Sequence, residues 1–172
     1  MKWATRKHIY TDRVASAWLI RRFIDPDAEF HFFEADRLLE EAGKIGARTF
    51  DAPGADFGHV EFHCSFETLM HANGLWGKDP ALDHMAEIVN AADVRIDLWD
   101  FRIPEGLGLY ALGEGFGECL SDDHERLEKM TPVYEALYQW CRKKMEGMKL
   151  TRYEPPRPAV YDRVMPQEKS HG

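Results

Sequence analysis

Within its first fifty residues the chain alternates short apolar runs with helical stripes, and that alternation leaves few folds open to it. Lys2 to Arg6 has a strand pattern, apolar at Trp3 and Ala4. Ala15, Trp18, Leu19 and Phe23 then recur on one helix face, so a helix is expected from Arg13 to Ile24, capped by Thr11 or Asp12 and ended by Asp25-Pro26. Ala28 to Glu34 is the expected second strand, and its Phe32-Phe33 pair predicts burial on both faces. Asp36 is the expected cap of a shorter helix over Leu38, Leu39 and Ala42, and Thr49-Phe50 the third strand. Strand, helix, strand, helix, strand at this spacing implies right-handed crossovers and a small parallel sheet.

The second half changes character. Ser65 is the expected N-cap of a helix over Phe66, Leu69 and Met70 that stops at Gly74. Asp79-Pro80 opens another, with Leu82, Met85, Ala86 and Val89 on one stripe, ending near Ala92-Asp93. Val94 to Phe101 alternates and reads as a strand or an extended loop. Pro104 starts a glycine-rich helix, Ser121 caps Asp122-Asp123-His124, and Thr131-Pro132 is expected to restart a helix after a break. From Val133 onward Tyr134, Leu137, Tyr138, Cys141 and Met145 form the strongest apolar stripe in the chain. The expectation is one α/β domain over residues 1–150, with a small parallel sheet in the amino-terminal half and a helical carboxy-terminal half; residues 151–172, with Pro155, Pro156, Pro158 and Pro166, read as an extended tail.

Charge narrows the function. A net charge of −8, from 22 Lys and Arg against 30 Asp and Glu, disfavours direct nucleic-acid binding, which needs a clustered basic face. No apolar run approaches the roughly 20 residues of a membrane span, and no signal peptide is visible, so a cytoplasmic location is expected. Cys64, Cys119 and Cys141 are widely spaced and read as reduced thiols.

In open α/β sheets ligands sit beyond the carboxyl ends of the strands. Arg6, Glu34 and Asp51 are at those ends, followed in their loops by Asp12, Asp36 and His59, so all six are expected neighbours. His59, His63 and Cys64 bring imidazole and thiolate donors to the approach to a helix N-terminus, with Asp51, Asp93 and His124 as sources of a further ligand. Neighbouring side chains of extended backbone alternate faces, which favours Cys64 over His63. The expected metal ligands are thus His59, Cys64, Asp93 and His124, holding iron, manganese or zinc, with Asp51 and His63 in the same pocket. A competing reading has His59 bonding a carbonyl and Cys64 as a small buried hydrophobe. Arg6, Asp12 and Arg13, with Arg21 and Arg22 nearby in sequence, form a second constellation suited to an oxyanion, against the alternative of ion pairs with Asp25 and Asp27. No Gly-x-Ser-x-Gly elbow or HExxH motif is present.

Several blocks together resemble the carboxy-terminal domain of the chromate-resistance protein B family. They are Trp3-Ala4-Thr5-Arg6, Thr11 to Ala15, the AWLIRRFIDP run from Ala17 to Pro26, Phe50-Asp51, Gly58-His59, Cys64 to Glu67, Ile88-Val89, Asp93 and Asp122-Asp123. The resemblance runs from about Lys2 to Arg142 and adds Glu67 to the pocket residues. It implies a domain tied to bacterial chromate-resistance operons, whose full-length members are described as chromate-responsive regulators; related chains carry it beside sulfurtransferase-like modules. Full-length members have a region before the equivalent of Trp3, and without it direct DNA binding is not expected here. The expected function is a cytoplasmic metal- or oxyanion-binding protein of the chromate or oxidative stress response, with metal-dependent redox activity. The alternative is a regulatory or interaction module acting through a DNA-binding partner, with a second copy or a regulatory protein as the expected macromolecular contact. A third reading is thiol chemistry at Cys64, its pKa lowered by the adjacent helix N-terminus.

Overall fold

The computed structural model describes residues 1–94 and 103–147. Strand β1, Lys2–Arg6, lies between β2, Glu29–Phe33, and β3, Arg48–Thr49, in a parallel sheet of order β2-β1-β3. Trp3 pairs with Phe30 on one side and Arg48 on the other, so β1 is the central strand. Successive β1 side chains point to opposite faces. Trp3 joins the large core with Phe30 and Phe50, whereas Ala4 joins a small cluster with Leu38 and Ala42 of helix α2, Leu38–Ile45. The fold is the expected α/β arrangement, with α2 on one face and the remaining helices on the other.

Helix boundaries depart from the sequence reading for identifiable reasons. α1 spans Thr11–Leu19 and continues as a π-helical turn over Ile20–Ile24, closed by Asp25 N–H donating to Ile20 O at 2.7 Å. Its N-cap is Tyr10, with no side-chain cap, because the Asp12 carboxylate is committed elsewhere. Asp36 does not cap α2 either; that position is Arg37, again without a side-chain bond. α3, Ser65–Ala72, is capped by Cys64 rather than Ser65. α4 spans Pro80–Asp93, capped by Asp79, which accepts from Ala81 N–H at 2.9 Å. α5 covers Pro104–Cys119, and α6 runs unbroken from Asp123 to Gly147 with Pro132 inside it. The expected break at Thr131-Pro132 is absent; the Thr131 hydroxyl donates to Leu127 O at 2.6 Å, and buried Met130 and Tyr134 hold the helix to the core on both sides. The Val94 to Phe101 reading falls mostly outside the described residues, and the 151–172 tail wholly so. Among the described residues no helix is long and apolar enough to cross a membrane.

The core is aromatic around Trp18, whose ring stacks on Phe66 at 6.5 Å and meets Phe23 and Tyr138 at 5.7 and 5.5 Å. Burying each such ring contributes roughly 1.5–3 kcal/mol. α5 comes so close to α4 that a Cβ on Gly106 would sit 2.8 Å from the Cβ of Ala91. Gly106→Ala is therefore expected to destabilise by about 1–2 kcal/mol, because overpacking against backbone outweighs the gain in helix propensity. A urea midpoint that rises in this variant would show that α5 can retreat freely.

Helix α6 also reaches back to the loop between β1 and α1. Asp123 accepts from the backbone N–H groups of His8 and Ile9, both at 2.9 Å. Arg126, 2% exposed, donates to Ile9 O at 3.1 Å and lies 5.2 Å from the Tyr10 ring centre. Tyr134 Oη donates to Thr11 O at 2.7 Å. These contacts hold His8 at φ 58°, a left-handed conformation unusual for a side-chain-bearing residue.

Candidate metal centre and adjacent basic cleft

Three carboxylates converge on one imidazole nitrogen. His59 Nε2 is 3.1 Å from Asp51 Oδ1 and 3.3 Å from both Asp12 Oδ2 and Asp93 Oδ2. They come from four places in the chain: the first turn of α1, the residue after β3 and its bridge, the loop before α3, and the last turn of α4. Asp51 follows the Phe50–Phe57 bridge at φ 47°, a conformation that aspartate tolerates better than most residues. Backbone strain of this kind tends to collect at functional sites.

Each carboxylate is held differently. Asp12, 2% exposed, accepts from the N–H groups of Ser65 at 2.8 Å and Phe66 at 3.0 Å, so it satisfies the first turn of α3 from 53 residues away. Asp51 is gripped on its other oxygen by Arg13 Nε at 2.7 Å and Arg6 Nη2 at 3.5 Å, while Ser65 Oγ lies 3.3 Å from Oδ1. Asp93 sits at the C-terminal end of α4, where the helix dipole disfavours a negative charge.

The charges follow from these contacts. Hydrogen bonds to Asp12 and Asp51 outweigh burial and raise His59 to about 10. Burial, followed by repulsion from Asp12 and Asp51, pushes Asp93 up to about 7. Burial alone would raise Asp51 as well, but the bond to His59 and the charges of Arg13, His59 and Arg6 hold it below the ordinary aspartate range. Without a metal the imidazolium therefore acts as the cation at the centre of an acidic cage.

Among the described residues, Asp12, His59 and Asp93 can each point one donor atom so that all three lie within 4.8 Å of one another. One imidazole and two carboxylates suit iron, manganese or zinc. Cys64 and His124 are not in this group. The Cys64 side chain accepts from Glu67 N–H while the Glu67 carboxylate accepts from Cys64 N–H at 3.0 Å, a reciprocal cap on α3. His124 is exposed, its ring edge-on to Phe32 at 4.8 Å. His63 Nδ1 is 3.2 Å from Glu67 Oε1. Asn90, which the sequence did not single out, donates to Glu67 at 2.6 Å and to Phe62 O at 2.7 Å, tying α4 to the loop that carries His59.

The thiol reading is corrected. Burial first, then the charges of Asp12 and Glu67, raise the Cys64 pKa well above the ordinary value, so the helix terminus does not generate a thiolate. Iodoacetamide should label exposed Cys119 first and Cys64 last under native conditions, read by mass mapping; fast labelling of Cys64 would contradict this placement.

The expected oxyanion group also divides. Asp12 cannot face an anion, because its carboxylate already occupies the N–H groups of α3 and repels like charge. Arg6 and Arg13, by contrast, line a cleft of about 200 Å³ with Lys7, His8, Tyr10 and Glu34 at the carboxyl edge of β1 and β2. Arg21 and Arg22 lie elsewhere: Arg21 covers the Phe30 ring and Arg22 faces Glu135 at 3.6 Å, while Asp25 takes the N-terminal ammonium at 2.6 Å and Trp3 Nε1 at 2.9 Å. Of the six expected neighbours, Arg6, Asp12, Asp51 and His59 converge, Glu34 turns into the cleft to meet Lys7 at 2.7 Å, and Asp36 is exposed.

Residues 3–141 match the family described as ChrB, C-terminal domain. Over 137 residues the chain is 37% identical to Protein ChrB of Cupriavidus metallidurans, covering 80% of this chain and 40% of that relative. The chain thus spans less than half the length of the curated relative it matches. No solved structure matches.

Proposed function

The chain belongs to the family of the ChrB C-terminal domain, and from that premise we propose that it serves chromate resistance in the cytoplasm as a binder of a divalent transition metal, with Asp12, His59 and Asp93 as ligands. The observation that carries the reading is the convergence of three carboxylates on His59 Nε2 at 3.1–3.3 Å. In the metal-free cage the single charge of the His59 imidazolium faces Asp12, Asp51 and Asp93 together, and a dication in place of its proton balances these acids better. Asp12 is fixed by two amide donors, while Asp51 faces the same His59 nitrogen as Asp12 and Asp93 and adds a third carboxylate to the rim of the site. A metal bound there supplies Lewis-acid or one-electron chemistry. The protein's own part is to give up the His59 proton, so affinity rises with pH.

A second reading rests on the basic cleft. Arg6, Lys7, His8 and Arg13 face only Glu34 among the acids lining it, which suits a small oxyanion of the chromate or sulfate type. A regulatory role through a partner remains the outcome if neither ligand binds.

The test is elemental analysis of tag-free protein together with manganese(II) and zinc(II) titration by calorimetry, repeated on His59→Ala. Near-stoichiometric metal that is lost in the variant, with affinity reduced by more than about 100-fold, is expected, since even outer-shell changes cost 10–100-fold. Binding that is unchanged in His59→Ala sinks the metal reading at this site.

A further inference from the structure

We infer that Asp51 couples the metal centre to the basic cleft, so that a divalent cation in the first raises the affinity of the second for a small divalent oxyanion. The inference rests on the two binding readings above and goes beyond them by linking the sites.

Its basis is the division of one carboxylate between two environments. Asp51 Oδ1 faces the centre, 3.1 Å from His59 Nε2. Oδ2 faces the cleft wall, 2.7 Å from Arg13 Nε and 3.5 Å from Arg6 Nη2. Arg6 Nε also donates to the Asp51 backbone oxygen at 2.9 Å, so the cleft arginine follows any shift of this residue. With its side chain only 7% exposed, Asp51 has little water to absorb a change in its partners. Its one negative charge is shared among His59, Arg13 and Arg6.

The direction of the coupling follows. A dication on His59 and its two aspartates draws the Asp51 charge toward the centre, leaving Arg6 and Arg13 less neutralised and more attractive to an anion. An oxyanion in the cleft competes for the same guanidinium groups and frees Asp51 to face the metal. Both ligands favour the same distribution, so the cooperativity is positive. Linkage requires that each ligand improve the other's affinity by the same factor. The groups lie well inside a Debye length, so added salt does not erase the effect.

The experiment measures manganese(II) affinity by calorimetry in saturating sulfate and in chloride of equal ionic strength, then sulfate affinity with and without saturating manganese(II). Equal improvements on the order of fivefold or more are expected in both directions. Asp51→Asn should bind manganese(II) more weakly and sulfate at least as tightly, because Arg6 and Arg13 lose their acid, while the factor falls toward one. Should that variant fail to fold by circular dichroism, Arg6→Gln reads the same factor from a side chain that is 32% exposed: weaker sulfate binding and a reduced factor. A factor of one in the wild type when both ligands bind overturns the coupling and leaves both sites standing. A factor unchanged in both Asp51→Asn and Arg6→Gln overturns the role of Asp51. If manganese(II) does not bind at all, the metal reading fails and the coupling fails with it.

Discussion

Asp12→Ala is expected to lower the stability of the metal-free protein by about 3–5 kcal/mol. The change strands the Ser65 and Phe66 N–H groups at the start of α3, where Ser65 and Phe66 are fully buried and water cannot replace the carboxylate. Each orphaned buried donor costs roughly 1–3 kcal/mol. Ser16 Oγ, 3.3 Å from Oδ1, loses a partner too, and the His59 imidazolium loses one of its three acids. Domains of this kind have about 5–15 kcal/mol in total, so the variant should unfold at a much lower urea concentration. Asp12→Asn keeps the shape and one acceptor oxygen, and should fall between the two. Unfolding curves followed by far-ultraviolet circular dichroism in EDTA decide the matter; a loss below about 1 kcal/mol would mean that α3 rearranges to cap itself.

Asp93→Asn should do the opposite, stabilising the metal-free protein at pH 8 while weakening metal binding. The folded-state value of Asp93, about 7, lies above its ordinary 3.8. A raised value contributes stability that is complete below the unfolded value and is lost as pH climbs through the folded one. Asp93 therefore costs stability between about pH 4 and pH 7, and at pH 8 the whole cost is present. Removing the charge should recover about 1–3 kcal/mol, given 1.36 kcal/mol per unit and a side chain that is 30% exposed. His59, raised to about 10, acts in the same direction over a higher window, from its ordinary 6.5 upward. Metal-free wild type should accordingly weaken as pH rises from 5 to 9, and saturating metal should offset that decline. Thermal melts at pH 5 and pH 8 in EDTA, with manganese(II) titrations in parallel, measure both effects. An Asp93→Asn protein less stable than wild type at pH 8 would refute this account of the cage. Such a trade, stability given up to hold a ligand-ready arrangement, is common where sites are built from like charges.

Much of this site is legible in the order of residues alone. Strand order and the rule for carboxyl edges bring Arg6, Asp12, Asp51 and His59 together, because a parallel sheet places its strand ends side by side whatever the sequence distance. Periodicity locates α4 and the body of α6, since each carries a clear apolar stripe, and the short apolar run at Trp3 and Ala4 locates β1. What fails are inferences from short-range chemistry. Cys64 stands beside His63 and looks like a donor, yet its side chain caps its own helix. Asp12 has the residue type and position of a cap for α1, but the helix it satisfies begins at Ser65. Asn90 gives no local signal, because its partners Glu67 and Phe62 lie 23 and 28 residues away, and the bond from Arg126 to Ile9 O spans 117 residues, so tertiary packing selects them.

The grip of α6 on the β1–α1 loop has a consequence for how the protein comes into being. His8 and Ile9 are held by Asp123, across 115 and 114 residues of chain. Loop closure over such separations is slow, and a chain emerging from the ribosome makes its amino terminus first. The strands can pair early, but the turn that leads into Asp12 gains its lasting hold only once α6 has been made. The loop that leads into the acidic cage therefore depends on a helix that begins 30 residues after Asp93, the last of the cage's acids, so the cage has its full support only once α6 has been made.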